Sequence, residues 1–215
     1  INQTCDLAVS SRSVSQKEID LERKKGVEPK EYKVALDGLA VVVNKKNPVS
    51  KLTLDQLAEI FKGNISDWSQ VGGQKGKIVI LSREVNSGTH VYFKEHVLRK
   101  GDPKSREEFS QDALLLSSSQ AIADEVLQNS NAIGYYGMGY ISKDHKTIAI
   151  AQDDNFAPVE PTVDNVVKNA YPISRPLFIY TNGEPKGIVK EFLDYILSPE
   201  GQAIVEKMDF VPVQK

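Results

Sequence analysis

The sequence predicts an α/β protein with mostly parallel strands, and three observations carry that reading. Short apolar runs alternate with helix-like segments along the chain. The run Leu39-Ala40-Val41-Val42-Val43 is continuously apolar and rich in β-branched residues, as in a strand buried on both faces. The strand Lys77 to Leu81 runs, through Ser82-Arg83-Glu84-Val85-Asn86, into a Ser87-Gly88-Thr89 that reads as a helix start. A chain of 215 residues suits one or two lobes and is long enough to bury a core.

The elements follow in order. Cys5 to Ser10 is a first apolar run, and Ser15 to Lys25 a highly charged helix. Tyr32 to Asn44 is a long strand interrupted by Asp37-Gly38, which is either a flexible crossing or a plain bulge. Thr53 caps a helix from Leu54 to Lys62 whose Leu54, Leu57, Ala58 and Phe61 form one stripe, and Gly63 stops it. Trp68 with Val71 reads as a core plug below the Gly72-Gly73 turn. After the Arg83 junction, a helix turns Val91, Phe93, Val97 and Leu98 to the core. Ser117-Ser118-Ser119 opens the segment Gln120 to Gln128; the triplet reads as a polar helix start or as a set of ligand donors.

Asn131 to Tyr140 holds a strand in which Tyr135 and Tyr136 are sheet residues, and its glycines do not follow the order of a dinucleotide-binding loop. Thr147 to Ala151 is a strand, Thr162 to Asn169 a helix, and Arg175 to Thr181 a strand. The helix Lys186 to Leu197 gathers Ile188, Val189, Phe192, Leu193 and Ile196 on one side, and Pro199 restarts the chain for a last helix to Met208.

Composition narrows the function. The 27 basic and 29 acidic side chains leave a net charge of -2, so no general field draws nucleic acid or an anionic membrane. Cys5 is the single cysteine, which excludes an intramolecular disulfide and a cysteine metal cluster. No apolar run approaches the roughly 20 residues that span a bilayer. His90 and His96 are six apart, a spacing that does not place two ligands together, so no metal site is expected. No phosphate-loop lysine follows a glycine run, and no nucleophile with its base is visible, so neither an enzyme nor a cofactor is expected.

The Arg83 junction is the candidate binding site. Amides at a helix start lack intrahelical partners and lie at the positive end of the helix dipole, which suits an oxyanion. Gly88 lets the backbone approach closely, and Arg83 offers a planar fork matched to phosphate or carboxylate oxygens. The same residues also describe an ordinary serine cap beside a solvated arginine.

Seven segments, in this order, carry a resemblance. They are Asp6 to Arg12; Ala35 to Asn44; Leu54 to Trp68; Ser82-Arg83-Glu84 with Ser87-Gly88-Thr89; Asn131 to Tyr135; Tyr171 to Leu177; and Leu197 to Gln202. Together the chain resembles the phosphate-binding proteins of bacterial high-affinity phosphate ABC transporters. That resemblance implies a type 2 periplasmic-binding-protein fold, two α/β lobes joined by two crossing strands that close on one phosphate. Lobe I would take residues 1–36 and 168–215, lobe II residues 37–167, with crossings at Asp37-Gly38 and near Tyr171. The resemblance further implies inorganic phosphate as ligand, a membrane permease as partner, and a periplasmic or cell-surface location, with a lipid anchor as one form.

In the family the strand-end arginine and the Ser-Gly-Thr bind phosphate oxygens, which maps onto Arg83, Ser87, Gly88 and Thr89. Relatives place a Ser-Asp in the first lobe, where the carboxylate accepts the phosphate proton and helps reject sulfate. This chain has Ser10-Ser11-Arg12, so Ser11 stands at the aspartate position and Arg12 adds a second cation. A hydroxyl can also accept that proton but repels a fully deprotonated oxyanion less. About the first quarter of a family member, with its strand and Gly-Ser-Thr loop, has no counterpart here; lobe I is then expected to be incomplete, leaving apolar sheet surface that favours self-association or weak binding. A binding module for another oxyanion such as sulfate, and a sensor or adhesion domain without a ligand, are the other readings.

Overall fold

The computed structural model describes residues 5–208 and 210–213 of the chain. The chain folds as two compact units, one holding the chain up to Asp37 and from Arg175 on, the other Gly38–Ser174. It passes from one to the other inside two strands, between Asp37 and Gly38 and between Ser174 and Arg175.

The first unit opens with β1 (Ala8–Ser10) and α1 (Gln16–Lys24). Ser15 and Glu18 form a reciprocal capping box that satisfies two of the helix's orphan amides. Strand β2 (Pro29–Asn44) begins in this unit and continues into the second.

The second unit adds β3 (Lys51–Thr53) and α2 (Leu54–Lys62), where Thr53 pairs with Gln56 in a capping box and Gly63 ends the helix at φ 86°. Next come β4 (Val79–Arg83), α3 (Gly88–Phe93), β5 (Leu114–Leu116), α4 (Ser119–Gln128) and β6 (Ala132–Gly137). Then β7 (His145–Thr147), β8 (Ala149–Ala151) and α5 (Val163–Val167) lead to β9 (Ser174–Asn182), which returns the chain to the first unit. There α6 (Gly187–Leu197) and α7 (Pro199–Lys207) follow.

The parallel expectation holds where helices cross over: β4 lies between β5 and β6 and is parallel to both, and β3 is parallel to β8. Strand β2 departs from it. It pairs antiparallel with β6, from Leu39 opposite Gly137 to Val43 opposite Ile133, and with β7. The single strand expected over Thr147 to Ala151 is instead split between two pairings, β7 on β2 and β8 on β3. In the first unit β1 is antiparallel to β9, with Val9 opposite Ile179.

The core of the second unit forms around β2, whose Leu39 to Val43 are fully buried as their apolar run predicts. Phe93 stacks on Tyr135 with ring centroids 3.8 Å apart, and Phe61 meets both. Trp68 is buried and donates its indole N–H to Asn131 O at 3.0 Å, so the plug reading holds. Gly38 is required by close packing rather than by an unusual backbone angle: a Cβ there would sit 2.1 Å from Met138 Sδ and 3.0 Å from Val166 Cγ2. Just beyond it, Leu39 N–H bonds Ile173 O at 2.9 Å and the buried Tyr171 hydroxyl donates to Leu39 O at 2.8 Å, fixing the segment that leads into β9 against β2.

In the first unit, Asp37 and Arg175 form a buried pair, with Nε and Nη2 donating to one carboxylate oxygen at 3.0 and 2.9 Å. Burial pushes the Asp37 carboxyl up while Arg175 opposes it. Helix α6 forms where its periodicity places it, but of its expected stripe only Leu193 is buried, with Ile188 77% and Phe192 49% exposed.

Candidate functional site

Arg83 is the last residue of β4, opposite Leu116, the last residue of the parallel neighbour β5. Parallel strands deliver their chain ends to one edge of the sheet, and both are followed by a helix. The starts of α3, at Ser87-Gly88, and of α4, at Ser118-Ser119, therefore share that edge.

The fork of Arg83 is held from the α4 side. Nη1 donates to Ser119 Oγ at 3.2 Å and Nη2 to the Ser117 carbonyl at 3.0 Å. Its Nε–H is buried and has no hydrogen-bond partner among the described residues. Ser118 does the capping, accepting from Ala121 N–H at 3.0 Å, so the serine triplet divides two tasks. Both readings of that triplet were open in the sequence; its link to Arg83 was not visible there. The signal that finds it is the register of β4 and β5, which sets Arg83 beside Leu116.

On the α3 side, Ser87 stands in the cap position with φ -70° and ψ 130°, yet its hydroxyl makes no capping bond. The plain cap reading thus fails for Ser87 itself. Its backbone carbonyl accepts from Val91 N–H at 3.0 Å, and its own N–H bonds Glu84 O at 2.9 Å, closing the turn. Gly88 and Thr89 form the first helical turn. The helix expected to follow is present, but from Lys94 to Leu98 it widens into a π-turn.

Below the junction lies a buried polar trio. His90 Nδ1 is 2.9 Å from Arg83 O and 3.1 Å from Ser82 Oγ, and Ser82 Oγ is 2.7 Å from the Tyr135 hydroxyl. Burial pushes the His90 imidazole down from its ordinary value. His145, by contrast, joins the Tyr136 hydroxyl and Ala123 O.

Ser11 and Arg12 belong to the first unit. Ser10 Oγ donates to Arg12 O at 2.7 Å, tightening the loop after β1. Arg12 does not stand as an uncommitted second cation: its fork is bidentate on Glu18, at 3.0 and 2.8 Å, and Nη1 also reaches Ser13 O. The Arg12 guanidinium and the Ser15 donors hold the Glu18 carboxyl down to about 2. The reason is local, because Glu18 is the third residue of a helix whose capping box already aims its carboxylate back at the loop. No group of three or more potential metal ligands occurs among the described residues.

The profile of the PBP superfamily domain matches residues 1–200. The phosphate-binding protein PstS of Pseudomonas aeruginosa is 33% identical over an alignment that covers 98% of this chain and 68% of that protein. PstS of Bacillus subtilis is 32% identical, with 93% and 64% covered. Among solved structures, a phosphate ABC transporter substrate-binding protein with bound phosphate from Clostridium perfringens superposes with a TM-score of 0.79 at 33% identity, covering 97% of this chain and 79% of that one. An ABC-type phosphate transport receptor from Vibrio cholerae gives 0.80 at 30% identity, covering 96% and 79%. The chain therefore belongs to the PBP superfamily and, within it, to the family of PstS phosphate-binding proteins.

Proposed function

We propose that the chain captures inorganic phosphate outside the cytoplasm for delivery to an ABC permease, by binding rather than by chemistry. The observation that carries this reading is the Arg83 junction, where a guanidinium held at the start of α4 ends the strand that leads into the start of α3 on the same sheet edge. A phosphate there meets the amides of Gly88 and Thr89, the Ser87 hydroxyl and the Arg83 fork. Each such charge-assisted hydrogen bond contributes about 1.5 to 3 kcal/mol. With a net charge of -2, attraction for a dianion has to come from this local array.

The first unit supplies the Ser11 hydroxyl, and Arg12 contributes by exchanging Glu18 for the anion. Closure of the two lobes on the ligand is then a population shift in favour of the state that makes both sets of bonds. Names and bound ligand of the relatives support phosphate. One residue favours a second reading, binding of another oxyanion such as sulfate: Ser11 brings no carboxylate to the position it occupies.

Isothermal titration of the 215-residue chain tests both. Phosphate is expected to bind, Arg83→Leu to weaken it at least tenfold, and sulfate at equal concentration to compete more strongly than it would against a carboxylate. Undiminished phosphate binding by Arg83→Leu contradicts the assignment.

A further inference from the structure

We propose that His90 is a positioning residue for oxyanion capture, which it serves without touching the anion. With Ser82 and Tyr135 it holds the Arg83 backbone and ties the start of α3 to the end of β4. The inference rests on the phosphate reading above.

Four observations carry it. First, the pairing of β4 with β6 runs from Val79 opposite Ala132 to Ile80 opposite Ile133. Continuing that register sets Ser82 opposite Tyr135, and there the two hydroxyls meet at 2.7 Å. Second, Arg83 O is only an acceptor, so the atom 2.9 Å from it must bring the hydrogen. His90 is thereby fixed as the Nδ1–H tautomer, donating to the carbonyl of the residue whose side chain binds.

Third, His90 follows directly on Ser87-Gly88-Thr89 in α3. Its bond to Arg83 O therefore spans the turn whose amides and hydroxyls face the ligand, and fixes both ends of that turn to each other. Fourth, the trio is sealed. Ser82 and Tyr135 have no exposure, His90 has 3%, and the Phe109 ring lies 4.5 Å from the imidazole. Hydrogen bonds closed off from water hold geometry more firmly than exposed ones.

The test exploits the difference between shape and donor. In His90→Asn the side-chain amide N–H replaces Nδ1–H but leaves space unfilled; in His90→Phe the ring fills the space and has no donor. The expected affinities for inorganic phosphate, measured calorimetrically on the 215-residue chain, are within about threefold of wild type for His90→Asn and at least about tenfold weaker for His90→Phe. Thermal melts are expected to rank the two in the opposite order. If affinity instead follows thermal stability, with His90→Phe near wild type, His90 only packs and the inference is overturned.

A wild-type chain that takes up no phosphate overturns the phosphate reading, and nitrogen-15 spectra of the imidazole then decide the positioning claim separately. An Nδ1–H tautomer, with exchange of the Glu84 to Thr89 amides faster in His90→Phe than in His90→Asn, upholds it. An Nε2–H tautomer overturns it.

Discussion

Helix α6 and strand β2 are both rich in apolar residues, one at helical spacing and one in a continuous run, and the two units treat them differently. In Gly38–Ser174, Leu39 to Val43 are fully buried and an aromatic cluster of Phe61, Phe93, Phe109 and Tyr135 closes around the sheet. In the other unit α6 buries Leu193 and leaves Ile188, Phe192 and Tyr195 exposed. Periodicity thus fixes which face of an element is apolar, while burial depends on a second layer being there to meet it. Arg83 stands on the closed core; Ser11 and Arg12 belong to the unit whose α6 stays largely exposed.

Paired substitutions break or sharpen this contrast, and the largest effect is expected in the aromatic cluster. Phe93→Ala should destabilise the chain by about 3 to 5 kcal/mol, whereas Phe192→Ala, half exposed, should change stability by about 0.5 kcal/mol or less. Urea unfolding curves measure both, and equal losses would show that α6 packs in solution against something that protects it. The second pair lies within the first unit. Asp37→Ala strands a buried guanidinium and should cost about 3 kcal/mol, against less than about 1 kcal/mol for Glu18→Ala at the exposed Arg12 pair. A mild Asp37→Ala would mean that the strands at the crossing points are held by their backbone bonds alone.

Acid gives the smallest effect and separates the units by pH. His90, packed near Lys94, Glu108 and Phe109, has its imidazole pushed down by burial, so the unfolded chain takes up its proton first. Its contribution is complete above about pH 6.5 and falls as pH drops below that value. Glu18, lowered to about 2 from 4.5, contributes above its unfolded value and loses that contribution as pH falls from there toward 2. Melting temperature should therefore decline from about pH 7 to 5 in wild type and less in His90→Asn, with the Glu18 loss confined to lower pH. An identical decline in both proteins would remove His90 from the account.

What was legible in the sequence divides along physical lines. Helix α2 was readable to the residue, because Thr53, Gln56 and Gly63 mark its ends through local bonds and a left-handed backbone angle. The double burial of β2 was readable because only continuous apolar character survives on both faces of a sheet. The role of Ser119 was not, since it depends on the register of two strands some 30 residues apart, which no local pattern encodes. Arg12 was only half legible: its charge was visible, but the carboxylate that engages it in this structure lies on the next helix, turned back by a cap. The π-turn after α3 and the antiparallel course of β2 likewise depend on what each element packs against.

The oxyanion site proposed around Arg83 stands on the closed core of Gly38–Ser174, while the other unit leaves most of the apolar face of α6 exposed. Hydrogen exchange resolved along the chain, with and without phosphate, tests it most directly. The expected result is that Leu39 to Val43 and Ala132 to Gly137 exchange only through global unfolding, that α6 exchanges through local opening, and that phosphate slows the amides from Ser87 to Val91. Protection of α6 equal to that of β2, together with no phosphate effect on the start of α3, would contradict it.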